Sequence, residues 1–168
     1  MKLTLLAAIS ADGKIAQSPD QLSLDWTSKE DTQFFVSKTK ELKVIIMGRK
    51  TYDTIGRPLK GRQLVVMTRS LEGKEPQEGL EYTSDSPEEI VADLTERGYE
   101  EAAIAGGSAV YGEFLRAGLV DELYLTVEPV LFGTGVPLAQ GFERVDMGLI
   151  DTIPLNEGTV VLHYRIKK

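Results

Sequence analysis

Asp31 follows Trp26, the sole tryptophan, by five residues, and Phe34, Phe35 and Lys38 come after it. At helical spacing residues 31, 34, 35 and 38 share one face, so a carboxylate lies beside two aromatic rings with an ammonium group one turn further on. This combination suits a flat heterocycle with a polar edge. A carboxylate accepts paired hydrogen bonds from an amino-pyrimidine, an aromatic ring packs on its face, and burial favours the protonated acid. An acid in a first helical turn also complements the helix dipole, and the residues alone favour that plainer reading.

A second group of residues points to anions. From Arg49 to Arg69 six bases (Arg49, Lys50, Arg57, Lys60, Arg62, Arg69) stand against one acid, Asp53, so the stretch is +5 and the remainder carries −12 of a net charge of −7. A local positive field in an acidic chain suits an anionic small ligand, although a solvated basic face has the same composition. Two apolar segments end in glycine and lead into helical starts, at Met47-Gly48-Arg49-Lys50-Thr51 and Ala105-Gly106-Gly107-Ser108-Ala109-Val110-Tyr111. Free N–H groups at a helix start attract phosphate, and glycine lets it approach the main chain. Neither segment has the spacing G-x-G-x-x-G, which disfavours an ordinary Rossmann site.

The elements that would position these groups alternate. Apolar runs predict strands over Lys2–Ala11, Lys43–Gly48, Gln63–Thr68, Glu101–Gly106, Asp121–Val130 and Thr159–Ile166, with weaker ones near Leu80–Thr83 and Val145–Pro154. Helices are expected over Ser28–Leu42, Lys50–Ile55, Pro87–Arg97 and Ser108–Gly118. Thr27 and Glu30 have capping-box spacing, Pro87 suits a first turn after Ser86, and Gly98 and Gly118 can close helices. Gly133-Thr134-Gly135 and the Pro137 region read as a plain loop between late strands. Early strand–helix–strand units followed by strands without helices imply an α/β three-layer sandwich. Its central sheet is mainly parallel and its C-terminal strands are antiparallel.

Composition narrows the function classes. The 168 residues, 42% of them apolar, suit one compact domain over 1–168. With no cysteine and a single histidine, His163, thiolate chemistry, disulfides and a histidine-rich metal cluster are ruled out, and no metal site is expected. His163 reads as a structural residue of the last strand. The acidic balance argues against nucleic acid and anionic membranes. The N-terminal apolar run is too short to span a bilayer, which leaves a cytoplasmic protein as the expectation.

Met47-Gly48-Arg49-Lys50-Thr51-Tyr52-Asp53-Thr54-Ile55-Gly56-Arg57-Pro58-Leu59-Lys60-Gly61-Arg62 resembles the central segment of dihydrofolate reductases almost position for position. Ala7-Ala8 with Asp12-Gly13-Lys14-Ile15, Trp26 with Asp31, Ala105–Tyr111 and Leu123-Tyr124-Leu125-Thr126 resemble other landmarks of that family, in order. The resemblance implies a dihydrofolate reductase-like fold, with NADPH as cofactor and 7,8-dihydrofolate as a small-molecule substrate, in a monomer or homodimer. Asp31 would then bind the pterin edge and promote protonation at N5, and Trp26 would help to position an ordered water. Leu6, Ala8, Phe35, Ile55, Leu59, Arg62 and Thr126 would complete the substrate site, Arg62 gripping the α-carboxylate of the substrate's glutamate. Ala8, Ile15, Gly48, Arg49, Lys50, Thr51, Thr68, Arg69, Ser70, Gly106, Gly107, Ser108, Ala109, Val110 and Tyr111 would hold NADPH, with Thr68-Arg69-Ser70 at the ribose 2′-phosphate. The Gly106–Gly107 bond is expected to be cis.

Beyond Thr126 the resemblance changes. Val127-Glu128-Pro129-Val130-Leu131-Phe132-Gly133-Thr134-Gly135-Val136-Pro137-Leu138 lacks the Gly-Asp…Phe-Pro pattern of dihydrofolate reductases. It is similar to the reductase domains of riboflavin biosynthesis, as is Ser10–Ile15. Ala105 is smaller than the branched residue expected before the paired glycines, and the Ala16–Asp25 loop is slightly long. Two other functions therefore stand beside dihydrofolate reduction. One is a pyrimidine reductase acting on a ribosyl phosphate. The other is a non-catalytic nucleotide-binding module, which would have no need of Asp31.

Overall fold

The computed structural model describes residues 1–168. In chain order its elements are β1 (Lys2–Ser10), β2 (Lys14–Ala16), α1 (Lys29–Leu42), β3 (Val44–Gly48), α2 (Arg49–Ile55), β4 (Gln63–Met67), β5 (Leu80–Thr83), α3 (Pro87–Glu96), β6 (Glu101–Ile104), α4 (Ser108–Arg116), β7 (Glu122–Glu128), β8 (Val136–Pro137), β9 (Met147–Pro154) and β10 (Val160–Ile166). Eight strands form one sheet in the order β5-β4-β3-β6-β1-β7-β10-β9. The six from β5 to β7 pair in parallel, and β10 is antiparallel to both neighbours.

The all-apolar run Val44-Ile45-Ile46-Met47 makes β3 a strand buried on both faces, as a central parallel strand requires. Val44 and Ile46 join Leu3, Leu5, Ala102 and Ile104 under α3 and α4, where Phe114 is fully enclosed. Burial of a side chain of that size contributes about 1.5–3 kcal/mol. Ile45 and Met47 face the other way, onto Tyr52 of α2, and nearby Leu6 and Ala103 meet Leu42 and Phe35 of α1. Helices therefore cover both faces, which gives the three layers expected.

Several boundaries differ from the sequence reading for local reasons. The N-cap of α1 is Ser28, whose hydroxyl accepts from Asp31 N, so Thr27 and Glu30 form no capping box. Lys43 takes a left-handed conformation (φ 64°) that closes α1, and the strand starts only at Val44. By contrast α3 carries a complete capping box between Ser86 and Glu89 with Pro87 in its first turn. The weak strand near Val145 is a full eight-residue edge strand. Val136–Pro137 is more than a plain loop, because it pairs with β2. Gly135 (φ 145°) allows this pairing, since a Cβ there would sit 2.3 Å from Ala16 O.

Candidate active site

Alternation along β7 puts Glu122, Tyr124, Thr126 and Glu128 in one row on the face that α1 covers, whereas Leu123 and Leu125 point into the opposite core. Parallel register brings Leu6 beside Tyr124, Ala8 beside Thr126 and Ser10 beside Glu128. Asp31, in the first turn of α1, stands close to the Thr126 hydroxyl. Burial pushes the Asp31 carboxyl above its ordinary value of 3.8; the nearby Thr126 hydroxyl opposes this, and the charge of Glu128 adds to it. Phe35 packs with Leu6 one turn along, while Phe34 turns aside onto Tyr124 at 5.7 Å, where Lys38 also lies over the ring. Of the aromatic pair, one ring stays with Asp31 and the other serves packing.

The two glycine turns meet at the C-terminal ends of adjacent strands. Gly48 N donates to Gly106 O at 2.7 Å, and the Gly106–Gly107 peptide is cis, as expected. A Cβ on Gly48 would lie 3.2 Å from Val110 Cγ2, and one on Gly106 or Gly107 would lie 3.3 Å from Thr51 Oγ1. The two turns thus pack too closely for ordinary side chains at these glycines, and the N-termini of α2 and α4 lie side by side. Chain connections leave β3 toward β4 and leave β6 toward β7, so the turns flank the switch point where open α/β sheets take ligands. Ser108 Oγ, in the first turn of α4, is buried without a partner. The cradle fits a diphosphate: it offers helix-start N–H groups and an unpaired hydroxyl. Thr68-Arg69-Ser70 follows β4 on the same edge of the sheet, with Arg69 exposed. Arg49 is tied to Asp53, and Lys50 and Ala109 face solvent.

Arg62, half-buried, spans from the start of β4 to α1. Its Nη1 donates to Thr39 Oγ1 at 3.0 Å, and its Nε is buried without a partner. Burial draws its guanidinium below the usual arginine range. Ile55 and Leu59 pack near the Tyr52 cluster beside it. Trp26 Nε1 is the third buried orphan, and the Trp26 ring meets Phe132 edge-on at 5.0 Å. Asp12 holds that region: its carboxylate accepts from Ser10 Oγ at 2.6 Å, Phe132 N at 3.1 Å and Gly133 N at 2.8 Å, which lowers it to about 2. Ile15 lies in β2 against the main core. Tyr111 is buried and donates to Leu6 O at 2.6 Å, so its phenol is pushed up by burial and by the Asp31 charge.

The orphaned groups Trp26 Nε1, Arg62 Nε and Ser108 Oγ all belong to residues that the sequence singled out, one from each part of the expected site. Sequence reasoning missed Ser28, Thr39, Asp12 and Glu128. Two signals were available: Thr126 and Glu128 share a strand face by alternation, and Ser28 stands three residues before Asp31, at N-cap spacing.

The family model described as dihydrofolate reductase matches residues 2–130. A type 3 dihydrofolate reductase from Salmonella typhimurium is 37% identical over 126 residues, covering 75% of this chain and 71% of that protein. Among solved structures, a Shewanella sp. PV-4 protein named for riboflavin biosynthesis superposes with a TM-score of 0.82 at 25% identity, covering both chains fully. The Enterococcus faecalis dihydrofolate reductase complexed with NADP(H) gives 0.71 at 25% identity, covering 99% of this chain and 97% of the other. No helix is long and apolar enough to cross a membrane. On its sequence match and its α/β sandwich, this chain belongs to the dihydrofolate reductase family of oxidoreductases.

Proposed function

We propose that this chain reduces 7,8-dihydrofolate to tetrahydrofolate with NADPH as hydride donor. Arg62 carries the choice of substrate. A half-buried guanidinium with an unpaired Nε, braced by Thr39, suits a carboxylate at the far end of a long substrate. Asp31 would receive the amino-pyrimidine edge and hold the proton that N5 needs. The Thr126 hydroxyl stands beside its carboxylate, and burial without a paired cation favours the protonated acid. Trp26 Nε1 would donate to an ordered water on the proton path, with Phe35, Leu6, Ala8, Ile55 and Leu59 supplying the apolar walls.

NADPH would rest on Gly48–Thr51 and Gly106–Tyr111, with Ala8 and Ile15 near its nicotinamide and Thr68, Arg69 and Ser70 at its 2′-phosphate. When bound, it supplies the hydride. The neighbouring helix starts and the unpaired Ser108 Oγ support this placement.

One observation favours a second reading. The Shewanella protein named for riboflavin biosynthesis superposes along the whole chain, and the Gly133–Leu138 segment is similar to such reductases. A pyrimidine reductase acting on a ribosyl phosphate would use the same cofactor cradle. NADPH oxidation by the purified protein, measured with dihydrofolate and with the ribosylamino-pyrimidine phosphate, separates the two. Turnover with dihydrofolate is expected, and turnover with the pyrimidine alone would reverse the assignment.

A further inference from the structure

Glu128 is a carboxylate only 3% exposed, at the end of β7, with no cation paired to it. Its oxygens are held by neutral donors from two other segments. Ser28 N and Ser28 Oγ both donate to Oε1 at 2.7 Å, and Thr159 Oγ1 donates to Oε2 at 2.8 Å. Ser28 is the N-cap of α1, and its hydroxyl oxygen also accepts from Asp31 N at 3.2 Å. The turn between β9 and β10 reaches the same place a second time, with Asn156 Nδ2 donating to Glu30 at 3.2 Å. The first turn of α1 is therefore fastened at two neighbouring points, Ser28 on Glu128 of β7 and Glu30 on Asn156 of the β9–β10 turn.

Burying a carboxylate without a cation is costly, and apolar packing between a helix start and a strand would hold them together more cheaply. A charge kept in this setting invites a role other than stability. We propose that Glu128 is a positioning residue, which locks the N-cap of α1 onto β7 and thereby fixes where the Asp31 carboxylate stands. Its charge has a second effect through the same short path. A negative neighbour disfavours a second negative charge, so Glu128 helps Asp31 to keep a proton. The titratable groups around Asp31 are Glu128 on β7, Glu30 beside it on α1 and the phenol of Tyr111 on α4; β1 and β10 bring Ala8 and Val161, and Thr159 stands just before β10, none of them charged. The role of Asp31 in catalysis rests on the function proposed above. The clamp itself rests on the contacts alone.

Two substitutions separate position from charge. Glu128→Gln keeps an acceptor for Ser28 and removes the charge, and Glu128→Asp keeps the charge and shortens the reach. The Asp31 carboxyl is titrated in the ligand-free protein by 13C NMR, with Asp31→Asn identifying its resonance, and kcat is followed against pH. For Glu128→Gln the Asp31 midpoint and the limb of kcat should both move toward lower pH by about half a pH unit or more. For Glu128→Asp the plateau of kcat should fall severalfold with little change in the KM for NADPH, because the helix start is no longer drawn in. An Asp31 titration in Glu128→Gln that coincides with the wild-type curve would overturn the electrostatic half. A wild-type kcat plateau in Glu128→Asp would overturn the positional half. The titration needs no substrate, so a shifted midpoint in a protein that ignores dihydrofolate would count against the proposed substrate and leave the clamp standing.

Discussion

Strand β7 carries a carboxylate centre at each end, and the two behave in opposite ways. At its start Glu122, only 5% exposed, is met by Lys2 Nζ at 3.0 Å, His163 Nε2 at 2.9 Å and Arg165 Nη2 at 3.1 Å. Burial pushes its carboxyl up, but hydrogen bonds from His163, Lys2 and Arg165 outweigh it and bring it down to about 2. At the other end the Asp31 carboxyl is raised: burial pushes it up, the charge of Glu128 adds to this, and no cation stands against it as three do against Glu122. Burial pushes both carboxyls up, and the neighbouring charges decide where each ends. Glu122 is a completed ion-pair cluster, with His163 also stacked on Tyr124 at 3.9 Å. Asp31 is left unneutralised, which suits a group that exchanges a proton.

The largest effect expected from breaking this contrast is on turnover. Asp31→Asn removes the proposed proton carrier and should lower kcat with dihydrofolate by roughly 100-fold or more, most severely near neutral pH. NADPH binding, read by fluorescence quenching, should stay within a few-fold. A kcat within threefold of wild type would take Asp31 out of the chemistry.

Next comes the opposite end of the strand. Glu122→Ala strands three basic side chains, two of them partly solvated, and should cost about 2 kcal/mol, or roughly 4–8 °C in Tm. The sign of its pH dependence follows from the lowered carboxyl. The stabilisation is complete above the ordinary value of 4.5 and fades as pH falls toward 2, so the two proteins should converge in acid. Calorimetry between pH 2 and 7 measures this, and a Tm gap that widens in acid would contradict the ion-pair account. Turnover at 25 °C should be untouched. A smaller effect is expected at Arg62: Arg62→Leu should raise the KM for dihydrofolate about tenfold with little loss of kcat, through the lost carboxylate contact. An unaltered KM would favour a substrate without that carboxylate.

Most of the lower end of this contrast was hidden in the sequence. His163 was readable as a structural residue, but Lys2, Glu122 and Arg165 lie far apart in the chain, and only the β1–β7–β10 pairing brings them together. The upper end was more legible. Met47–Arg62 and Ala105–Tyr111 carry their own turns, so local sequence already implied two glycine cradles, and strand alternation implied the layers. The exact helix start was harder, since Thr27 and Ser28 are both good caps and the buried Glu128 selects Ser28 from one hundred residues away. A contact of that range leaves no periodic trace in the chain. Asp12 was noticed only as part of a motif, because its partners Phe132 N and Gly133 N are main-chain groups that any residue supplies.

The smallest expected effect discriminates most sharply between the two carboxylates, because its sign differs. With its value raised above 3.8, Asp31 binds its proton more tightly in the folded chain than in the unfolded one. Its stabilising contribution is therefore complete below the ordinary value and is lost as pH rises through the raised one. Above the raised value the folded protein carries an unneutralised carboxylate beside Glu128. Asparagine has nearly the shape of the protonated acid and no charge to strand, so Asp31→Asn should be more stable than wild type at pH 7 by about 1 kcal/mol, or roughly 2–4 °C in Tm. The advantage should vanish near pH 3, where wild-type Asp31 is itself neutral. A Tm below wild type at pH 7 would mean that Asp31 is held in the folded state as Glu122 is, by partners that need its charge.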